Sequence, residues 1–214
     1  MTGMMSRANP RQTRKAPEER RAEIVAAAAE IALADGLERI TLRAVAERLG
    51  VRPGLIGHYF PVAEELVVEA FALAIAGERE ALFPPGGTPT AQVATLIARS
   101  QSEESRPLAQ LWLNARHLSR FHPALAECLT VQEDLDRGRL VAAIEDGIRS
   151  GEFRTTDALA AAVRIFVAVD GVGAYVNNPG SFDEDSYTHF VADTAEWALG
   201  LEPGAMRAAA AEPA

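Results

Sequence analysis

Arg52, His58 and Tyr59 fall within eight residues of one another, in the segment VRPGLIGHYF (51–60), and that segment contains no acid. A guanidinium, an imidazole and a phenol suit one chemistry well, hydrogen bonding to phosphate oxygens and base edges, with no carboxylate to repel a polyanion. Arg52 is the strongest candidate for reading a base, because its planar fork matches O6 and N7 of guanine. Thr41 and Arg43, a little upstream, could add hydroxyl, backbone N–H and guanidinium donors to a phosphate. His58 reads either as a satisfied surface residue or as a DNA contact.

Other reactive side chains are poorly arranged for catalysis. His117 and His122 are five apart with no carboxylate between them, too wide for the i, i+4 pair of a helical zinc site. Cys128 has no basic residue after it before Arg137, which favours an inert thiol over a nucleophile. Neither a phosphate-binding glycine loop, a CxxC pair nor a serine on a nucleophile elbow is present. The sequence therefore predicts no catalytic residue, no metal and no cofactor.

The elements that must position the Arg52 segment are helices. Leu42, Val45, Ala46 and Leu49 recur at i, i+3, i+4 and i+7, one apolar helical face. Thr41 can cap that helix, Gly50 can end it in the left-handed conformation, and Pro53 fits only the first turn of the next one. Two short helices across such a turn form either an ordinary αα-hairpin or a helix-turn-helix whose second helix enters the major groove. Ile56 and Phe60 are four apart and are expected to pack against Leu42, Val45 and Leu49. Ala16-Pro17-Glu18-Glu19 opens a preceding helix with Ile24, Ala27, Ala28, Ile31 and Ala34 on one face.

Charge divides the chain unevenly. Its formal charge is -9, yet residues 1–60 hold ten Arg+Lys against seven Asp+Glu, a balance of +3, and residues 61–214 hold eleven against 23, a balance of -12. A locally basic N-terminus fused to an acidic remainder suggests one part for polyanion contact and another for a different task. Arg7, Arg11, Arg14 and Lys15 fall in a polar stretch, 1–16, that reads as a disordered basic arm able to touch phosphates.

These residues carry a resemblance. Residues 18–72 resemble the DNA-binding domain of the tetracycline-repressor (TetR) family, through Thr41, Val45-Ala46, Gly50-Val51, Gly54, Ile56, His58-Tyr59-Phe60 and Glu64-Glu65-Leu66. The wording GLIGHYF is similar to the subgroup containing the choline-responsive repressor of betaine synthesis. The resemblance implies DNA contacts from Thr41, Arg43, Arg52, Pro53, Gly54, His58 and Tyr59. Two positions depart from it: Gly57 stands where most members have a tyrosine facing DNA, and Ala63 where a lysine usually touches phosphate.

Beyond the helix-turn-helix the pattern stays helical, so the fold class is all-α. A three-helix DNA-binding domain over 17–62 precedes a larger helical effector-binding and dimerisation domain over 63–202 and a flexible tail over 203–214. Helices are expected at about 63–82, from Thr88-Pro89, from Ser105-Arg106-Pro107, from His122-Pro123 to Ser150-Gly151, and from Thr155-Thr156-Asp157 to Val176. Asn178-Pro179-Gly180 stops the last of these, and Ser181-Phe182-Asp183-Glu184 reads as a capping box for a final long helix to about Leu201.

The helix after Thr156 is apolar all round, and the final long helix pairs Phe190 with Thr194 and Trp197; both are expected to pack against their copies in a homodimer. The resemblance implies a ligand pocket among these helices, with Trp112, Arg116, His117, Phe121, Phe166, Asp170, Tyr175 and Asn177 as candidates. Asp170 lies in an apolar helix and needs a partner, whether a cationic ligand, an arginine such as Arg116 or a backbone donor.

The resulting expectation is a ligand-responsive DNA-binding regulator, a repressor that binds a pseudo-palindromic operator as a dimer and is released by a small molecule. A constitutive or architectural DNA-binding protein and an all-α enzyme or carrier remain as alternatives. No apolar run is long enough to cross a bilayer, no signal peptide is evident, and the single cysteine can form no internal disulfide. These point to a cytoplasmic protein. Twenty Arg against one Lys, with abundant Ala, suggests a GC-rich bacterial genome.

Overall fold

Capping chemistry sets most of the helix boundaries. Pro17, Pro53, Pro89, Pro107 and Pro123 each occupy the first turn of a helix, where a missing N–H costs nothing. The side chains of Thr41, Thr88 and Asp157 accept from the backbone N–H of Ala44, Ala91 and Ala160 at 3.0, 3.2 and 2.9 Å. Gly50 and Gly151 close two helices with φ of 65° and 80°, the left-handed region that glycine enters without a Cβ penalty.

The structure, a computed structural model, describes residues 16–175, 177 and 184–211. Among them ten α-helices and no strand occur: α1 Pro17–Asp35, α2 Leu42–Leu49, α3 Pro53–Tyr59, α4 Ala63–Leu82, α5 Pro89–Ser100, α6 Arg106–Leu118, α7 Pro123–Ser150, α8 Ala158–Gly173, α9 Glu184–Leu199 and α10 Ala205–Ala211. The basic arm with Arg7, Arg11, Arg14 and Lys15, the Asn178-Pro179-Gly180 stop and Ser181–Asp183 of the capping box lie outside the described residues.

Two apolar cores hold the helices. The first joins Ile24 and Ile31 of α1, Val45 of α2, Ile56 and Phe60 around α3, and Phe71 and Ile75 of α4 to Leu111 of α6 and Leu125 of α7. Ile56 and Phe60 are fully buried, and each contributes about 1.5–3 kcal/mol in transfer terms. The second core gathers Phe83, Val93 and Leu96 with Leu140 and Ile144 of α7, Ile165 of α8 and Val191 and Leu199 of α9. Because α4 and α7 contribute to the first core, α3 is tied to the body through continuous packing, and a hydrogen bond from the Leu37 N–H to Asn114 Oδ1 at 2.8 Å adds to it.

Three expectations need correction. Ala34 is exposed, because the buried stripe of α1 follows i+4 steps through Ile24, Ala28 and Ala32. Helix α8 ends at Gly173 rather than Val176. Residues 203–214 are not wholly a flexible tail: Ala205–Ala211 is helical and Met206 is buried. The reason is Glu196 of α9, a buried carboxylate that accepts from the N–H groups of Gly204 and Met206 at 2.8 and 3.0 Å. It satisfies backbone donors at the start of α10 and lets Met206 join the second core.

Candidate DNA interface and ligand cavity

Helix α3 is anchored from below and open above. Ile56 and Phe60 fix its inner face, and the Arg21 guanidinium lies 4.7 Å from the centre of the Phe60 ring. Arg52, Pro53, Gly54 and His58 face solvent, whereas Tyr59 is half-buried and packs against the first core. The His58 and Tyr59 rings meet edge to face with centroids 5.4 Å apart. His58 is therefore the more outward of the two.

Thr41 uses its hydroxyl oxygen as acceptor for the Ala44 N–H, which leaves its own proton for an outside acceptor such as a phosphate. Arg43 pairs with Glu47 at 2.8 Å, but both are well exposed. An exposed pair of this kind is worth little and yields readily to a stronger anion. Arg20, Arg21 and Arg48 are paired with Glu23, Glu69 and Glu30. Among the described residues 16–60, that leaves Arg39 and Arg52 without an acidic partner. Sequence reasoning missed Arg39, whose position two residues ahead of Thr41 was the available signal.

The two departures also have a structural setting. A Cβ on Gly57 would meet only Leu42 Cδ1, at an ordinary 3.6 Å, so nothing in the packing demands glycine there. Ala63 is exposed at the start of α4, beside Glu64 and Glu65.

A cavity of about 260 Å3 opens among α4–α8, walled by Leu82, Leu96, Leu108, Trp112, Val163 and Phe166. Its polar side holds Arg116, Glu133, Asp136, Arg137 and Asp170. Arg116 donates from Nη2 to Asp170 Oδ2 at 2.8 Å and to Glu133 Oε1 at 3.2 Å, with its guanidinium 5.2 Å from the Trp112 ring centre. Partial burial pushes the Asp170 carboxyl above the usual carboxylate range against the opposing pull of Arg116.

Behind the cavity lies a buried ionic group. Arg79 of α4 pairs with Asp136 of α7 and donates to Gln132 Oε1 at 2.8 Å and to the Gln132 carbonyl at 3.3 Å. Burial pushes the Asp136 carboxyl upward, and Arg79 only partly offsets it.

The cavity brings together four of the eight expected ligand residues: Trp112, Arg116, Phe166 and Asp170. The other four lie outside it. Trp112 and Arg116 are four apart on the inward row of α6, so His117 falls off that row and is exposed, with its ring 5.8 Å from the exposed Phe121. Tyr175 stacks edge to face on Tyr187 at 6.2 Å, and Asn177 accepts from Gln110 Nε2 at 2.8 Å. Glu133 and Asp136 were missed. Asp136 had a signal, since Gln132 and Asp136 interrupt the apolar row Leu125, Leu129 and Leu140 on α7.

Helices α8 and α9 leave an apolar stripe uncovered. Leu159, Val163 and Val167 follow one another at i+4 along α8, and Phe190 and Trp197 are exposed on α9, with Trp197 71% exposed and Arg164 of α8 over its ring. Among the described residues no group of three His, Cys, Asp or Glu side chains is placed to hold a metal ion. No described helix is long and apolar enough to cross a membrane. Burial pushes the Cys128 thiol up, and its Sγ lies 3.8 Å from the Val68 carbonyl.

Residues 24–70 match the family described as bacterial regulatory proteins, tetR family. No curated protein matches the sequence. Among solved structures, a TetR-family transcriptional regulator from Rhodococcus sp. is 19% identical with a TM-score of 0.72, covering 85% of this chain and 99% of its own. A transcriptional regulator from Saccharomonospora viridis in complex with choline is 19% identical with a TM-score of 0.70, covering 84% and 96%. The FadR regulator from Bacillus subtilis in complex with stearoyl-CoA is 20% identical with a TM-score of 0.59, covering 83% and 97%.

Proposed function

We propose that the protein is a ligand-responsive transcriptional repressor that binds a pseudo-palindromic operator as a homodimer, with residues 24–70, which match the tetR family, as its DNA-binding part. The observation that carries this is α3: a short helix locked by Ile56 and Phe60, presenting Arg52 without an acidic partner on an acid-free outer face. Arg52 reads a base in the major groove, His58 and Tyr59 extend the contact, and Thr41 and Arg43 at the start of α2 hold phosphate. Pro53 and Gly54 lie at the first turn of α3, where the backbone comes close to the groove.

The cavity is the effector site in this reading. Its lining includes Leu82 at the last turn of α4, the helix whose other end follows α3 directly. A ligand there changes operator affinity only by favouring one placement of α4 over another, and only to the extent of its differential affinity for the two states. Choline in the S. viridis regulator and stearoyl-CoA in B. subtilis FadR support a small-molecule role for the cavity without naming its occupant. Two copies join through the stripe on α8 and α9, and the two α3 helices then meet half-sites one helical turn, about 34–36 Å, or more apart.

Selection from a random duplex library is the direct test. The expected product is a two-fold-related sequence whose binding weakens steeply with salt. Recovery of a single unrepeated motif, or none, would overturn the reading.

A further inference from the structure

The charges around the cavity do not cancel. Arg79 is balanced by Asp136 and Arg137 by Asp134, so these two pairs add no net charge. Arg116 alone therefore faces two carboxylates, those of Glu133 and Asp170. One positive charge against two negative leaves this end of the cavity with a net charge of about -1. Trp112 lies on the same side, but its ring already meets the Arg116 guanidinium and Phe71, so the attraction for a bound cation comes from the two carboxylates. Across the cavity the surface is hydrocarbon, from Leu96, Leu108 and Phe166.

We propose that the cavity takes a small amphiphilic cation, a quaternary or protonated amine seated against the oxygens of Glu133 and Asp170 that Arg116 does not engage, with its hydrocarbon part against Leu96, Leu108 and Phe166. This deepens the reading of the cavity as the effector site and rests on it. An anionic amphiphile fits less well, because its carboxylate must compete with Asp170 and Glu133 for Arg116 and would place three negative charges around one positive. A cation instead completes the balance, two charges of each sign, without disturbing the Arg116 contacts. Choline, whose hydrocarbon is limited to its methyl groups and a short hydroxyethyl arm, leaves most of the apolar wall unmatched.

Calorimetric titration of the full chain with hexyltrimethylammonium, choline, hexan-1-ol and heptanoate tests this, with binding and operator release measured separately. Hexyltrimethylammonium is expected to bind roughly tenfold tighter than each of the others. Glu133→Gln, on a half-exposed side chain, is expected to fold normally and to remove most of the preference over hexan-1-ol while leaving hexan-1-ol binding unchanged. Tighter binding of heptanoate or hexan-1-ol, or no binding by any probe, overturns the inferred ligand class. A preference for the cation that Glu133→Gln leaves intact also overturns it, because the carboxylate excess is then not its cause. Tight cation binding that leaves operator affinity unaltered supports the ligand class and counts instead against the effector reading.

Discussion

Arg39 and Arg52 lack acidic partners among the described residues yet belong to different places, one on the approach to α2 and one opening α3. In the proposed complex Arg52 meets base edges, so Arg52→Ala is expected to cost about 1–3 kcal/mol and to relax specificity at one operator position. Arg39 is exposed ahead of α2 and meets phosphate in the proposed complex, so Arg39→Ala should weaken all duplexes alike and lower the salt slope by about one. Competition binding across single-base operator variants separates the two outcomes. Equal weakening on every variant by Arg52→Ala would make it a phosphate contact as well. Away from the interface, a Cβ on Gly147 would run into the Phe153 ring. Gly147→Ala should therefore cost about 1–3 kcal/mol through overpacking, read as a lowered midpoint in urea. Nothing in the sequence around Gly147 announces this, since Phe153 reaches it only after the chain turns at Gly151. Arg52, by contrast, was legible because its neighbours Pro53, Ile56 and Phe60 fix a helix and its inner face from spacing alone.

Between elements, the α4–α7 contact depends on charge as well as apolar packing. Arg79 follows Phe71 and Ile75 at i+4 on the buried row of α4, and its partner Asp136 interrupts the buried row of α7. Removing one partner leaves a buried uncompensated charge, so Arg79→Met is expected to destabilise by about 3–5 kcal/mol, whereas Arg79→Met with Asp136→Leu should recover most of the loss. Denaturant titration of both variants decides it; equal losses would show that the pair itself, rather than the orphaned charge, carries the energy. The sign with pH follows from the upward shift at Asp136. Without Arg79 the folded state holds that proton still more tightly than the unfolded chain, so the deficit of Arg79→Met should shrink as pH falls and grow as pH rises through the shifted range. Helix boundaries were largely readable because proline, threonine and glycine act locally. The Arg79 pairing and the Glu196 cap of α10 were not, because each joins residues whose proximity exists only after the helices pack.

At the scale of the molecule, the chain carries most of its acid beyond residue 60 and keeps exposed apolar side chains along α8 and α9. An exposed stripe running from Leu159 through Val167 to Trp197 is unusual on a monomer and suits a two-fold contact, where each residue meets the same patch on the partner. The proposed dimer would also answer the energetics of recognition: one seven-residue helix offers too few base contacts for a specific site, and linking two copies makes the second contact intramolecular. Trp197 is exposed, with the Arg164 guanidinium over its ring at 5.1 Å, so Trp197→Asp should leave the fold intact while placing a carboxylate in the proposed apolar contact. Sedimentation of this variant at micromolar concentration is expected to show a monomer with unchanged helical circular dichroism. Operator affinity should then fall towards that of a single half-site, with the salt slope roughly halved because half the phosphate contacts are lost. A variant that remains dimeric would move the interface away from α9, and one that is monomeric yet binds the full operator undiminished would break the link between symmetry and recognition.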